Sequence, residues 1–157
     1  IGLTWDCIDF DQGRIRIIKT LKRIDRVATR RKWSGTKNGK HRFIPMTKML
    51  LEVLTRHQLE MMDRGLFHPQ GLVFVTKRTK SNLYDALLER VWKRTREAVN
   101  IGYRKLYSQR HTFLSHTLAA GNSPADVAAI AGHRLEELIA TYAHPTGNVK
   151  LVEWQNS

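Results

Sequence analysis

A chain of 157 residues has room for one domain with a core of its own, and its apolar fraction of 41% separates it from disordered sequences. No apolar run approaches the roughly 20 residues of a membrane span, and the single cysteine, Cys7, excludes an internal disulfide and fits a reducing, cytoplasmic setting. Lys and Arg number 27 against 14 Asp and Glu, a net charge of +13, and between Arg14 and Lys48 thirteen basic residues stand against Asp25 alone. A block of that kind favours a polyanion, because each phosphate contact releases condensed counterions. A basic face kept for solubility is the competing account, and no strongly amphipathic helix accompanies the run to suggest an anionic membrane.

Residues 3–10 alternate loosely, with Trp5, Cys7 or Ile8, and Phe10 at β-prone positions. Asp11-Gln12-Gly13 marks a turn, and Arg14-Ile15-Arg16-Ile17-Ile18 resumes the alternation, which predicts a hairpin. Residues 19–32 are basic and weakly patterned and read as an extended loop or protruding arm. A short strand is expected at 33–36. Lys37-Asn38-Gly39-Lys40 offers the Asn-Gly dipeptide of a two-residue turn, and 41–46 returns as a strand that Pro45 places at an edge or an end.

Thr47 can cap a helix over 48–64, with Met49, Leu50, Val53, Leu54, Leu59 and Met62 as its apolar stripe and Gly65 as its close. Leu72-Val73-Phe74-Val75 predicts a short buried strand or extended segment. Ser81 can cap a second helix over 82–99. There Leu83, Leu87, Leu88, Val91 and Val99 face inward, while Arg90, Lys93, Arg94 and Arg96 stay polar, either as a solvated face or against DNA. A third helix begins at Ser108, buries Phe113, Leu114, Thr117 and Leu118, and stops at Gly121. Ser123-Pro124 starts a short helix packed by Val127, Ile130 and Ala131. Leu135, Leu138 and Ile139 support one more turn that carries Tyr142 toward His133, and residues 149–154 form an apolar tail. The resulting expectation is an α+β domain, mostly helical, with a small antiparallel sheet near the N-terminus.

Arg110, His133 and Tyr142 supply a cation, an imidazole and a phenol, separated by 23 and then 9 residues. These are the groups a phosphoryl transfer uses without a metal. The guanidinium fork neutralises non-bridging oxygens, the imidazole adds a hydrogen bond, and the phenol attacks phosphorus. Arg110-His111-Thr112-Phe113, the apolar helix, Gly132-His133 and Tyr142 flanked by Thr141 and His144 resemble the C-terminal half of the catalytic domain of the tyrosine recombinase, or phage integrase, family.

That resemblance implies a specific set of roles. Tyr142 would be the nucleophile, forming a 3′-phosphotyrosyl link to double-stranded DNA, with Arg110 and His133 on the phosphate. The segment from Thr36 to Met46 resembles the family's β-hairpin, which makes Lys37 the general acid for the leaving 5′-oxygen, with Lys40 as competitor in the same turn. Lys40, Arg42, Arg90, Lys93 and Arg94 would then contact DNA. Tyr107 stands where the family usually has the first histidine of its His-x-x-Arg box. A tyrosine can donate a hydrogen bond to phosphate but is a poor base.

The family's first catalytic arginine precedes a segment like residues 3–9, and the chain begins Ile1-Gly2-Leu3 without an initiator methionine. The whole of 1–157 therefore reads as the catalytic domain of a longer protein, weak or inactive alone, without that arginine and without an N-terminal core-binding domain. The resemblance further implies a homotetrameric synapse, a monomeric isolated domain, no cofactor or metal, and a phage or mobile-element protein acting in a bacterial cytoplasm. His41, His111, His116 and His144 do not have zinc-site spacing. Two rival activities share these residues: nicking and resealing like a type IB topoisomerase, and DNA binding by a recombinase-derived module without cleavage.

Overall fold

The computed structural model describes residues 2–24, 31–36, 39, 41–76 and 85–142. The chain forms two compact units, Ile1–Leu106 and Tyr107–Ser157. In the first, a single 3-10 turn at Trp5–Cys7 leads into β1 (Ile8–Asp9), which pairs antiparallel with β2 (Arg14–Ile17), Ile8 opposite Ile15. The Asp9 carboxylate closes this hairpin by accepting the Gln12 amide at 2.9 Å and Arg14 Nε at 3.2 Å, while Gly13 takes a φ of +60°.

Residues 19–32 contain regular structure where a loop or arm is expected. β3 (Lys19–Arg23) and β4 (Arg31–Gly35) form an antiparallel ribbon with Leu21 opposite Trp33. Leu21 is buried, and the Lys19 ammonium sits 4.6 Å over the Trp33 ring, so basic side chains coexist with a paired backbone. β4 is therefore not the partner of the next strand. β5 (Arg42–Pro45) returns to β2, Ile44 opposite Ile15, giving a sheet of order β1-β2-β5. Gly39 still turns the chain at φ +66°, its N–H bonded to Thr36 O at 3.0 Å. Pro45, which has no N–H to contribute, ends an edge strand.

α1 (Lys48–Asp63) is capped by the Thr47 hydroxyl, which accepts the Leu50 amide at 3.2 Å. Its buried face is narrower than the apolar pattern suggests. Leu54 and Met61 are buried, but Met49, Val53, Leu59 and Met62 are 43–73% exposed. Apolar residues occupy more than one side of this helix, and Leu50 and Leu54 are the ones that pack with the sheet residues Ile8 and Ile15. There Ile8, Ile15, Leu54 and Val73 form the core. His57 Nε2 donates to Val73 O at 2.8 Å. The segment Gly71–Val73 is held to the N-terminus by Trp5 N–H to Gly71 O and Val73 N–H to Leu3 O, both 2.9 Å.

α2 (Asp85–Ala98) is joined to the ribbon by an Arg31–Asp85 ion pair of 3.2 Å. Its expected start at Asn82, with Ser81 and Leu83, lies outside the described residues. Two expectations for its faces are overturned. Val91 and Val99 are more than half exposed, and Arg96 is buried. The chain turns back after this helix through Asn100, at φ 53°, so Arg96 lies under the return segment: its Nη1 donates to Ile101 O at 3.3 Å and its guanidinium lies 5.4 Å from the Tyr103 ring centre.

The second unit is helical as far as it is described: α3 (Ser108–Ala119), α4 (Pro124–Ala131) and α5 (Leu135–Tyr142). Leu114, Val127, Ala128, Ala131 and Leu138 form its core, with Leu118 and Tyr142 against them. Phe113, expected inside, is 51% exposed because it sits about 100° around the helix from Leu114, the residue that meets α4 and α5. The apolar tail at 149–154 lies outside the described residues. The fold is thus α+β, mainly helical, with small antiparallel sheets. No helix among the described residues is long and apolar enough to cross a membrane.

Candidate active site

Three stretches of the second unit each contribute one residue to a common point. Arg110 lies in the first turn of α3, His133 follows the end of α4, and Tyr142 is the last residue of α5. The end of α4 explains why they meet. Gly132 adopts the left-handed conformation, φ +71°, with its N–H bonded to Ala128 O and Ala129 O, and His133 N–H also reaches Ala128 O at 3.1 Å. Only glycine takes that backbone without strain. The reversal leaves the Ala131 carbonyl and the His133 ring facing α3.

Arg110 occupies both. Its Nη2 donates to Ala131 O at 2.7 Å and lies 2.9 Å from His133 Nε2. A guanidinium can only donate, so His133 Nε2 is the acceptor and its ring proton resides on Nδ1. Arg110 Nε is buried and has no hydrogen-bond partner among the described residues. The cation is thus fixed through one nitrogen, with donors left over for an anionic oxygen. The His133 and Tyr142 rings run nearly parallel, 19° apart, with centroids separated by 6.5 Å. Beneath them the fully buried Leu138 fixes α5.

The sequence-predicted trio is therefore gathered, and one further residue joins it. Tyr142 Oη lies 2.6 Å from His111 Nδ1. Tyr107, 61% exposed, packs its ring edge-on against the same imidazole, 5.3 Å between centroids at 76°. Metal spacing does not single out His111, but helical spacing does: residues 107 and 111 stand one turn apart on one face of α3. Among the described residues no cluster of three His, Cys, Asp or Glu side chains could hold a metal ion.

Lys37 and Lys40 lie outside the described residues. Arg42, half-buried on β5 opposite Ile17, and Arg90, Lys93 and Arg94, exposed on α2, belong to the first unit. Lys93 approaches Glu97 at 3.8 Å across one helical turn, a contact that solvent screening leaves weak.

The fold that carries this cluster is shared with proteins of known type. A family profile described as the Phage integrase family matches residues 1–148, and the chain belongs to that family. A tyrosine recombinase XerC-like protein of Caldanaerobacter subterraneus subsp. tengcongensis is 26% identical over 176 residues, covering 99% of this chain and 44% of the relative. The Tn1549 transposon integrase, solved in complex with circular intermediate DNA, superposes with a TM-score of 0.75 at 21% identity, over 92% of this chain and 50% of that one. XerA recombinase superposes at 0.70 with 16% identity, over 93% and 47%. The chain spans about half the length of these proteins.

Proposed function

We propose that the chain is the catalytic part of a site-specific recombinase that cuts and rejoins double-stranded DNA through Tyr142. The observation carrying this reading is the convergence of Arg110, His133 and Tyr142, with 2.9 Å between Arg110 Nη2 and His133 Nε2 and the Tyr142 ring alongside. A DNA phosphate entering this cluster would take Arg110 Nη1 donors on its non-bridging oxygens, and His133 Nε2, once released from Arg110 and protonated, would add its N–H there, where negative charge grows as phosphorus becomes five-coordinate. Tyr142 Oη bonds to phosphorus, the bond to the 5′-oxygen breaks, and the DNA is held as a 3′-phosphotyrosyl ester. Lys37 protonates the departing 5′-oxygen, with Lys40 as the alternative donor.

The ester retains the free energy of the broken bond, so a 5′-hydroxyl from a second duplex reverses the step without a nucleotide cofactor. Lys40, Arg42, Arg90, Lys93 and Arg94 contact the DNA backbone. By the pattern of the family, four copies assemble on two DNA sites. Support for these extensions comes from the family and from the integrase–DNA complex of a relative with this fold.

The test is covalent trapping. The full-length protein is incubated with a pool of nicked duplexes of randomised sequence, and DNA bound after denaturation is recovered and sequenced. The reading predicts an adduct that disappears in Tyr142→Phe, and joining of two different duplexes by the unmodified protein. Salt-sensitive binding without any adduct would contradict cleavage, and nick resealing without joining would contradict recombination.

A further inference from the structure

We propose that His111 is a catalytic residue: its Nδ1 accepts the hydroxyl proton of Tyr142 as the tyrosine oxygen attacks phosphorus. The inference rests on the phosphotyrosyl reading above and names the proton acceptor that reading leaves open. A phenol keeps its proton at neutral pH, so attack requires a base within hydrogen-bond reach of Oη. Arg110 only donates. His133 Nε2 is engaged by Arg110, and the Tyr142 ring lies beside the imidazole plane, 6.5 Å between centroids. The polar atom found on the Tyr142 hydroxyl is His111 Nδ1, at 2.6 Å. In the neutral tautomer that carries its proton on Nε2, Nδ1 accepts the hydrogen bond from the phenol and can take its proton.

The ring is held for this task. Tyr107, one turn earlier, packs edge-on against it, and Tyr142 lies against it at 5.5 Å between centroids. Tyr107 is itself a poor base, so the imidazole on this face of the helix is supplied from position 111. In the forward step the Tyr142 Oη–P bond forms and the P–O5′ bond breaks. The Tyr142 proton passes to His111 Nδ1, which becomes imidazolium, and the bonding pair leaves on O5′, which takes a proton from Lys37. In rejoining, the 5′-hydroxyl attacks and the imidazolium returns its proton to the departing phenolate.

The test compares single-turnover adduct formation by the full-length protein on a nicked duplex selected as above. One version carries oxygen at the scissile 5′-position. The other carries bridging sulfur, a leaving group that departs without a proton. His111→Ala is expected to slow adduct formation by about 10²-fold or more on both substrates with DNA affinity unchanged, and added imidazole restores part of the rate. His111→Asn keeps an acceptor near the Nδ1 position without its basicity and is expected to be as slow as His111→Ala. Lys37→Ala, by contrast, recovers on the sulfur substrate. Either His111 variant cleaving at nearly the unmodified rate overturns the proposal, as does a His111→Ala defect cured by sulfur. Loss of adduct in Tyr142→Phe alongside normal His111 variants overturns only this assignment. An adduct that survives Tyr142→Phe overturns the phosphotyrosyl reading itself.

Discussion

Arg110 is asked to do two things with one side chain. Its Nη2 spans the Ala131 carbonyl at 2.7 Å and His133 Nε2 at 2.9 Å, and in the proposed reaction Nη1 of the same planar fork meets the phosphate. A lysine carries the same charge but cannot hold that geometry and still present two donors to one anion. Arg110→Lys is therefore expected to reduce adduct formation by about 10²-fold or more while changing DNA affinity little, measured as single-turnover cleavage beside equilibrium binding. Equal loss of binding and cleavage would mean that Arg110 only attracts the backbone. At this scale the sequence was informative about Arg110, His133 and Tyr142, because three residue types at two spacings are jointly specific. It was less informative about His111, whose contact with Tyr142 appears only once α3 and α5 are side by side. Arg96 shows the converse: its charge suggests an exposed position, yet an arginine stem can be buried when a carbonyl and an aromatic ring receive its head.

The site is only as good as the ends of the short helices that carry it. α5 has eight residues, too few to be stable in isolation, and its place depends on the buried Leu138 packing with Leu114, Val127 and Ala131. Leu138→Ala is expected to cost about 2–5 kcal/mol in urea unfolding, against a change within about 0.5 kcal/mol for the exposed Phe113→Ala. Gly132→Ala forces a Cβ onto a backbone at φ +71° and is expected to cost about 1–2 kcal/mol while also impairing cleavage. Unchanged stability and activity in Gly132→Ala would show that α4 does not need this reversal. Helix positions were legible from caps and periodicity: Thr47, Ser123-Pro124 and Gly121 all mark ends that the structure has. Strand partners were legible for the β1–β2 hairpin but not beyond it. Asn38-Gly39 predicts a local hairpin, but β4 is already paired with β3, and β5 gains more by placing Ile44 beside Ile15. Such a choice is made by non-local burial, which local turn chemistry does not encode.

The molecule as a whole is a strong cation, with a net charge of +13 concentrated between Arg14 and Lys48. That distribution predicts DNA binding whose affinity falls steeply with salt. Replacing Arg90, Lys93 and Arg94 by Gln is expected to lower the slope of log K against log salt by roughly 0.9 for each phosphate no longer neutralised. An unchanged slope would assign those residues to a solvated face. The basic segment was visible in composition. Its folding into the β3–β4 ribbon was not, because charge repeats conceal the weak alternation of Leu21 and Trp33. Family membership covers residues 1–148, so the chemistry stands or falls at a single bond. The decisive measurement is peptide mapping by mass spectrometry of the denatured, nuclease-trimmed DNA adduct. A nucleotide 3′-phosphate is expected on the peptide containing Tyr142, attached through its phenolic oxygen. The same mass on any other residue would contradict a Tyr142 nucleophile.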